Sequence, residues 1–355
     1  MSSRSTEFSH GFTRRDAFKI LGATGAAVAL SGRIARADTP APTTTALPQG
    51  AGFYRTHVGE FEITVVSDGG FPFTPYPTIG SNASQGEVEK VLKDNFIDPA
   101  KLMGQVNVLA VRRGSGPVTL IDTGSGKLFG PAAGFAKQNL INSGVKPEDV
   151  ANVVFTHLHP DHVGGALGDD GKPTFANAKH WVNKTERNFW AGPNPDLSKS
   201  GVPEAMRPTM IGAAKNAIDK LGDRLQAFEV ADMINNHEPI LDGPGYEIAA
   251  GVTAIQTGGH TPGHCVLMFE SNGESLVYVT DLVVQAALCF AHPEWLVGFD
   301  TDMKATVEIR KKVYDRLAAG GGTLISGSHL PFPALGHVKK AETGYQFMPS
   351  LWNWA

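Results

Sequence analysis

The chain has 355 residues, of which 41% are hydrophobic and 19% are charged. That balance is ordinary for a globular protein with a sizeable core, and it excludes an intrinsically disordered chain. Lysine and arginine together number 31 against 35 aspartates and glutamates, so the formal net charge is −4. A nucleic-acid-binding protein needs a basic footprint, and this charge balance argues against that class.

The N-terminal segment has the composition of an export signal. Arg14 and Arg15 form a twin arginine, and the mildly apolar segment 20–30 that follows is too short to span a bilayer. A small-x-small cleavage site lies at 35–37. We therefore predict that residues 1–37 are a Tat signal peptide; the alternative is an ordinary amphipathic helix. The signal implies recognition by the Tat export machinery and a periplasmic or secreted location. No second long apolar run follows it, so no stable membrane anchor is predicted.

The predicted mature chain keeps 25 basic and 33 acidic residues, a formal charge of −8 that further disfavours a nucleic-acid partner. Residues 38–50 are rich in proline, threonine and alanine, and we predict a flexible mature N-terminus there. Residues 51–355 suffice for one large domain. Cys265 and Cys289 both lie in apolar sequence surroundings. The sequence is compatible with a disulfide between them and with two buried free thiols.

The elements expected in the mature chain are strands first and then a mixture of strands and helices. Strands are predicted at 53–58, 61–66, 106–111, 118–121, 150–155, 179–182, 246–248, 252–255, 265–270, 275–279 and 323–326, and helices at 86–93, 130–142, 183–190, 210–221 and 304–317. The proline-rich stretch 71–100 is expected to cover the site. This order favours two β-sheets packed face to face with helices outside.

A cluster of polar side chains follows the apolar strand at 150–155. Its members are His157, His159, Asp161 and His162. Imidazole nitrogen and carboxylate oxygen are the ligands that zinc and similar metals prefer. Core packing does not explain four such groups on one loop, because each buried polar group would need its own hydrogen-bond partner. The carboxyl end of a strand opens onto a crevice in an α/β fold, so a metal site is predicted there.

Three further candidate ligands, His260, Asp281 and His329, each follow an apolar, strand-like run. Together with the His-x-His-x-Asp-His string they resemble the signature of the metallo-β-lactamase superfamily. The resemblance implies a mixed α/β fold, the αββα sandwich, with the site at one edge. It also implies two divalent metal ions as cofactors. Zinc is the expected metal, although His/Asp sites also accept manganese, iron and cobalt.

The same resemblance divides the seven side chains between two ions. The first ion would be held by His157, His159 and His260, the second by Asp161, His162 and His329, with Asp281 bridging them. A hydroxide shared by the ions would attack a carbonyl or phosphorus centre, and Asp281 or Asp161 would take the proton. No general acid is indicated, and a leaving group of low pKa, such as a phenolate, would not need one.

Two more residues are expected near the ligands. Asp122, which ends the strand at 118–121, resembles an aspartate that supports the metal site from behind; a turn-forming role is the alternative. His264 is open to three interpretations: a donor behind the ligands, a substrate contact, or a structural histidine.

Several stretches away from the ligands resemble methyl parathion hydrolases and related lactonases, among them 128–131, 188–190 and 328–333. The resemblance implies that Phe129 and Trp190 bind substrate as aromatics at the mouth of the site; core packing is the alternative. A further aromatic expected around 203–208 is missing. That departure favours a lactone or ester over a phosphotriester.

The sequence therefore predicts a dinuclear metal-dependent hydrolase acting on a small-molecule substrate: a lactone, an aryl ester or an organophosphate triester. The alternatives are a β-lactamase-like or thioesterase-like metallohydrolase and a metal-binding protein without turnover. The resemblance is compatible with a homodimer, which no residue pattern shows.

Overall fold

The computed structural model describes residues 50–230, 241–243 and 245–353. The predictions for the export signal at 1–37, and for all but the last residue of the flexible N-terminus at 38–50, lie outside these residues. Within the described part, no helix combines the length and the apolar character needed to cross a bilayer.

The strands and α-helices of the described residues alternate along the chain. The strands are β1 (Phe53–Val58), β2 (Phe61–Pro72), β3 (Met103–Arg113), β4 (Val118–Ile121), β5 (Val150–Val154), β6 (Lys179–Asn183), β7 (Leu225–Phe228), β8 (Tyr246–Ala249), β9 (Val252–Gln256), β10 (Cys265–Ser271), β11 (Glu274–Tyr278), β12 (Leu324–Ser326), β13 (Leu335–Lys340) and β14 (Tyr345–Pro349). The α-helices are α1 (Gln85–Asp94), α2 (Ala136–Asn142), α3 (Pro160–Val163), α4 (Lys184–Ala191), α5 (Arg207–Leu221), α6 (Ala286–Ala291) and α7 (Met303–Ala319).

The strands form two seven-stranded sheets, β1 to β7 and β8 to β14, each in the order of the sequence. Strands β4 to β7 run parallel to one another, as do β11 and β12, and the other neighbours are antiparallel. Parallel strands bring their carboxyl ends to the same edge of a sheet. The loops that carry the candidate ligands after β5, β11 and β12 therefore start from such edges.

Both faces of the first sheet are buried. Successive strand residues point to opposite faces, so Val65 belongs to the core that includes Leu267 of the second sheet, whereas Val66 belongs to a core that includes Leu140 of α2 and Ala214 of α5. Each such side chain contributes roughly 1.5–3 kcal/mol of apolar burial. Helix α7 packs on β13 of the second sheet. The predicted sandwich of two sheets between helical layers is confirmed.

Several predicted boundaries are wrong. The strand at 323–326 is not the last, because β13 and β14 pair antiparallel with each other and extend the second sheet. Their charged and polar residues, and the proline and glycine around them, conceal the apolar pattern. Strand β7 and helix α6 were also not anticipated. The helix predicted at 130–142 begins only at Ala136, because Gly134 has a φ of 89° and its backbone lies against Gly126 too closely for any side chain.

The two cysteines are free and buried, so the structure favours the thiol alternative over the disulfide. Burial raises the pKa of the Cys265 thiol to about 12 and also raises the pKa of Cys289. Neither side chain is therefore a thiolate nucleophile at neutral pH.

Candidate metal centre

All seven side chains predicted as metal ligands meet at one place. They form two groups, each with its ligand atoms within 4.8 Å of one another: the first holds His157, His159, His260 and Asp281, and the second holds Asp161, His162, Asp281 and His329. Asp281 belongs to both groups. This division is the one that the family resemblance implies, although neither ion is part of the structure described.

In the first group, three imidazoles and a carboxylate converge on a point. His260 Nε2 lies 3.2 Å from His157 Nε2 and 2.9 Å from His159 Nδ1. It also lies 3.3 Å from Asp281 Oδ2. Helix α3 begins just after His159 at Pro160, so the loop after β5 turns at once into the helix that carries the second group.

In the second group, Asp281 lies between two histidines. His162 Nε2 lies 3.2 Å from Asp281 Oδ1, and His329 Nε2 lies 3.1 Å from Asp281 Oδ2. Asp161 Oδ2 is 3.7 Å from His162 Nε2 and 3.4 Å from His329 Nε2. The bridging carboxylate thus presents one oxygen to His162 and the other to His329 and the first group.

Hydrogen bonds behind the ligands fix which ring nitrogen faces the centre. His162 Nδ1 lies 2.8 Å from Asp122, His260 Nδ1 lies 2.8 Å from Asp300, and His329 Nδ1 contacts the backbone oxygen of Gln105. Each of these acceptors takes an N–H, so the opposite nitrogen faces the cluster and is the one that would bind a metal ion. Asp122 occupies the supporting position predicted for it, and Asp300 and Gln105 were missed.

These residues fit bound metal. His162 Nε2 is buried and has no hydrogen-bond partner among the described residues. His260 Nε2 and His157 Nε2 face each other at 3.2 Å. Buried nitrogen and carboxylate oxygen atoms that converge in this way are stabilised when a cation lies among them. Four ligand atoms per group, of imidazole and carboxylate type, match what a divalent ion such as zinc accepts.

The pKa shifts of the histidines agree with this arrangement. Burial lowers the pKa of His157 and His159 well below the usual range, so both rings are neutral and free to act as ligands. Burial also opposes charge on His260, but the carboxylates of Asp281 and Asp300 outweigh it and raise its pKa to about 9. In the chain without metal, a proton on His260 therefore supplies the positive charge that an ion would otherwise bring.

His264 lies behind the ligands and does not reach solvent. Its Nδ1 is 2.6 Å from Thr257 Oγ1, and its Nε2 faces Thr280 Oγ1 at 3.3 Å. Thr280 has a φ of 43° and its hydroxyl accepts a hydrogen bond from the backbone N–H of Asp281. The structure thus favours a supporting role for His264 over the substrate contact that was also open.

Glu186 of α4 is a supporting residue that the sequence did not reveal. It is fully buried, and its carboxylate accepts hydrogen bonds from Leu158 N, Trp190 Nε1, Thr261 Oγ1 and Gly263 N at 2.6–3.0 Å. These donors belong to both the His157–His159 loop and the loop that carries His260. Burial raises the pKa of this carboxyl, and the four hydrogen bonds oppose the rise. In the sequence Glu186 resembles any charged residue near the start of a helix.

The structure favours the core-packing alternative for Trp190. Its side chain is fully buried, its indole N–H donates to Glu186 at 2.6 Å, and its ring meets that of His159 edge to face at 5.7 Å. The buried carboxylate draws the indole inward. Trp190 therefore packs against a candidate ligand in the core, and its contact with substrate stays a prediction.

Phe129 keeps a position compatible with the mouth. It is half-buried and stacks on Phe71 with ring centroids 4.6 Å apart. Its loop is held by Asp68, which accepts hydrogen bonds from the backbone N–H groups of Ser125 and Ala136. Its contact with substrate stays a prediction.

A cavity of about 350 Å³ opens beside His329. One wall comes from residues 97–105 and another from 284–286, just after the bridging Asp281. The first wall overlaps the end of the stretch that the sequence predicted to cover the site.

Comparison with protein families and curated proteins gives a consistent result. The family model described as the metallo-beta-lactamase superfamily matches residues 103–321. The N-acyl homoserine lactonase AttM of Rhizobium radiobacter is 30% identical over 205 residues, which cover 57% of this chain and 66% of that protein. An N-acyl homoserine lactonase of Bacillus cereus is 25% identical over 160 residues, which cover 45% of this chain and 49% of that protein. The chain thus spans about half the length of the first curated relatives that it matches.

Two solved structures extend the similarity over most of the chain. AidC, a dizinc quorum-quenching lactonase, is 27% identical with a TM-score of 0.76 and covers 85% of this chain and 98% of its own. The hydrolase AbOPH of the beta lactamase superfamily is 31% identical with a TM-score of 0.75, and the match covers 86% of this chain and 100% of that protein. The narrower resemblance to methyl parathion hydrolases stays a prediction. With a family model over most of the chain and a relative covered from end to end, the chain belongs to the metallo-β-lactamase superfamily.

Proposed function

We propose that the protein is a dinuclear metal-dependent hydrolase that opens lactones. The observation that carries the proposal is the pair of ligand groups that share Asp281, with every ligand position of the superfamily signature filled. The names of the similar proteins, N-acyl homoserine lactonases and a dizinc lactonase, support the lactone as substrate class and zinc as the metal.

When bound, two divalent ions would supply Lewis acidity and a nucleophilic water at neutral pH. The side chains of the centre supply the remaining functions. His157, His159 and His260 would hold one ion, and Asp161, His162 and His329 the other. In the overall reaction, water adds its oxygen to the ring carbonyl carbon, the ring C–O bond breaks, and a hydroxy acid forms.

The proton of the attacking water needs an acceptor, and the ring oxygen needs a donor. Asp161 is suited to both tasks because its Oδ2 lies 3.4–3.7 Å from His329 and His162 at the centre and its side chain is 11% exposed. We assign the proton transfer to Asp161, with Asp281 as the bridging carboxylate.

The test is a panel of substrates with the metal content measured on the same preparation. The full chain is produced in a bacterium with a Tat pathway, loaded with zinc, and assayed on N-hexanoyl homoserine lactone, dihydrocoumarin, an aryl acetate, methyl parathion, a cephalosporin and an acyl thioester. We expect two metal ions per chain and the highest kcat/KM on the lactones.

Each other outcome overturns part of the proposal. A triester preference would identify a phosphotriesterase and show that the missing aromatic at 203–208 has no importance. A preference for the cephalosporin or the thioester would support those alternative hydrolases. Two metals without turnover of any substrate would indicate a metal-binding protein.

Export through the Tat pathway is a second part of the proposal, supported by the twin arginine at 14 and 15 and the short apolar segment after it. Cell fractionation of the full chain and of the double variant Arg14→Lys, Arg15→Lys tests it. The unmodified chain should reach the periplasm and the double variant should stay in the cytoplasm. Equal distribution of the two proteins would reject the Tat signal.

A further inference from the structure

Thr280, the residue before the bridging Asp281, has a backbone conformation that threonine rarely adopts. Its φ is 43°, in the left-handed region where glycine is usual and where a branched Cβ is unfavourable. Among the described residues it is the only β-branched one with a positive φ. Such strain persists only where the surrounding contacts hold it, and it is frequent at functional sites. The threonine side chain must therefore supply something here that glycine could not.

The hydroxyl of Thr280 contacts both the backbone and the carboxylate of Asp281. Its Oγ1 accepts a hydrogen bond from the Asp281 N–H at 2.6 Å and lies 3.2 Å from Asp281 Oδ1. His264 Nε2 lies 3.3 Å away, and the hydroxyl of Thr156 lies 3.4 Å away. The carboxylate is the strongest acceptor among these neighbours, so the single hydroxyl hydrogen goes to Oδ1. Two hydrogen bonds to one residue thus fix both the backbone and the side chain of the bridging aspartate.

The hydroxyl acts on one particular oxygen of the bridging carboxylate. Asp281 Oδ1 is the oxygen that lies 3.2 Å from His162 Nε2, in the second ligand group. The other oxygen, Oδ2, lies 3.1 Å from His329 Nε2 and 3.3 Å from His260 Nε2. Without the hydroxyl, nothing behind the carboxylate would keep Oδ1 turned toward His162. The second metal site is therefore the one that depends more on Thr280.

The bond from Thr280 to the carboxylate is shielded from solvent. Thr280 is fully buried and Asp281 is 3% exposed, so bulk water does not compete for Oδ1. The neighbouring Thr156 cannot take over the task, because its own hydroxyl donates to Asp122 at 2.9 Å. The burial also means that the Thr280 side chain does not meet a substrate that enters from solvent.

From this geometry we propose that Thr280 is a positioning residue: its hydroxyl holds Oδ1 of the bridging Asp281 toward the second metal site. The strained backbone is retained because it brings this hydroxyl to the carboxylate. The effect on turnover rests on the proposed lactonase function, whereas the effect on metal binding does not depend on the substrate.

The experiment titrates the zinc-loaded full chain with a chelator, counts the zinc that stays bound, and compares Thr280→Val with Thr280→Ser. Valine keeps the size and the branch but has no hydroxyl, and serine keeps the hydroxyl. For Thr280→Val we expect the second ion to bind about 10–100-fold less tightly than in the unmodified protein. With zinc in excess, kcat on N-hexanoyl homoserine lactone should fall about ten-fold or more while KM stays within about two-fold. Thr280→Ser should keep zinc affinity and kcat within about three-fold.

Two further variants make the result specific. Thr64→Val is the matched control, because Thr64 of β2 is a threonine that is 1% exposed and whose hydroxyl accepts a hydrogen bond from Arg55, outside the ligand loops. It should retain both zinc ions and an unchanged kcat. Thr280→Gly removes the hydroxyl and the backbone strain together, so it should fold even where Thr280→Val does not. It should show the same loss of the second ion.

The outcomes separate this inference from the proposed function. Unchanged zinc retention in folded Thr280→Val or Thr280→Gly, or an equal loss in Thr280→Ser, overturns the positioning role and leaves the lactonase proposal standing. If the unmodified protein binds two zinc ions but opens no lactone, the proposed function fails. The role of Thr280 is then decided by zinc retention alone: selective loss of the second ion in the variants without the hydroxyl supports it, and equal retention rejects it.

Discussion

Glu186→Gln is the substitution that tests most directly how the metal centre is held together. The change keeps the size of the side chain and replaces one oxygen by an NH₂ group. Oε1 of Glu186 accepts hydrogen bonds from Leu158 N and Trp190 Nε1, and Oε2 accepts them from Thr261 Oγ1 and Gly263 N. All four partners donate, so an amide at this position must place its own donor against at least one of them.

The glutamine amide can take two orientations, and the more favourable one determines how much stability the variant loses. The NH₂ group costs less on the Oε2 side, because the Thr261 hydroxyl can rotate and accept while the Gly263 N–H loses its acceptor. On the Oε1 side two N–H donors would lose theirs. The variant loses one hydrogen bond to a charged acceptor, buries one unsatisfied N–H, and weakens three hydrogen bonds because their partner is no longer charged. It also no longer buries a charge. Together these changes should lower the free energy of unfolding by roughly 2–4 kcal/mol. The unfolding midpoint should fall by roughly 3–6 °C.

The metal should also bind less tightly, because Glu186 joins the loop of His159 to the loop of His260. Loss of such outer hydrogen bonds typically weakens metal binding about 10–100-fold. Thermal unfolding with and without zinc, together with competition against a chelator, measures both effects. Glu229→Gln is the control, since Glu229 is an exposed partner of Lys184 and should change neither quantity.

An unfolding midpoint within about 1 °C of the unmodified protein, with unchanged zinc affinity, would refute the reasoning, because it would mean that the four donors gain nothing from the charge. A lower unfolding midpoint with unchanged zinc affinity would show that Glu186 stabilises the fold but does not affect metal binding.

Three other predictions concern the ligands and their supports. Asp281→Asn should retain one metal ion per chain and lose nearly all hydrolysis while the circular dichroism spectrum is preserved; full activity would reject the dinuclear mechanism. Arg310→Met should lower the free energy of unfolding by about 3–5 kcal/mol, since it removes the ion pair at Oδ2 of the buried Asp300 and leaves the Leu282 oxygen without its Arg310 donor, and a change below about 1 kcal/mol in urea unfolding would contradict this. In the metal-free chain the raised pKa of His260 gives stability that is complete below about pH 6.5 and is lost as pH rises through about 9. The unfolding midpoint of that chain should fall across this window, whereas the zinc-loaded chain should not show the fall because the metal replaces the proton; parallel profiles would contradict it.

The ligand set could be predicted from the sequence because its chemistry is local. Imidazoles and carboxylates at short spacing after β5 have few structural explanations, and the strand-like runs before His260, Asp281 and His329 placed each at a strand end. The apolar, strand-like runs likewise predicted β1 to β6, which are all but one strand of the first sheet. These features depend on residues close together in the chain, so the periodicity and the residue types suffice.

The supports of the centre could not be predicted in the same way. Asp300, Glu186 and Arg310 act through partners that are distant in sequence, and none stands in a motif. Asp300 meets His260 across 40 positions, and Glu186 meets Gly263 across 77. Their burial, which is what makes them informative, is a property of the fold and not of the local sequence.

Trp190 shows why residue type alone does not decide between a substrate contact and core packing. An indole has an apolar body and one N–H donor, and it is stable either at a mouth, with water as the acceptor, or in a core with a buried acceptor. The sequence contains no sign of which acceptor is available, because the carboxylate that accepts the bond belongs to a glutamate that looks exposed. Once Glu186 is buried to join the two ligand loops, the indole four residues later on α4 follows it inward.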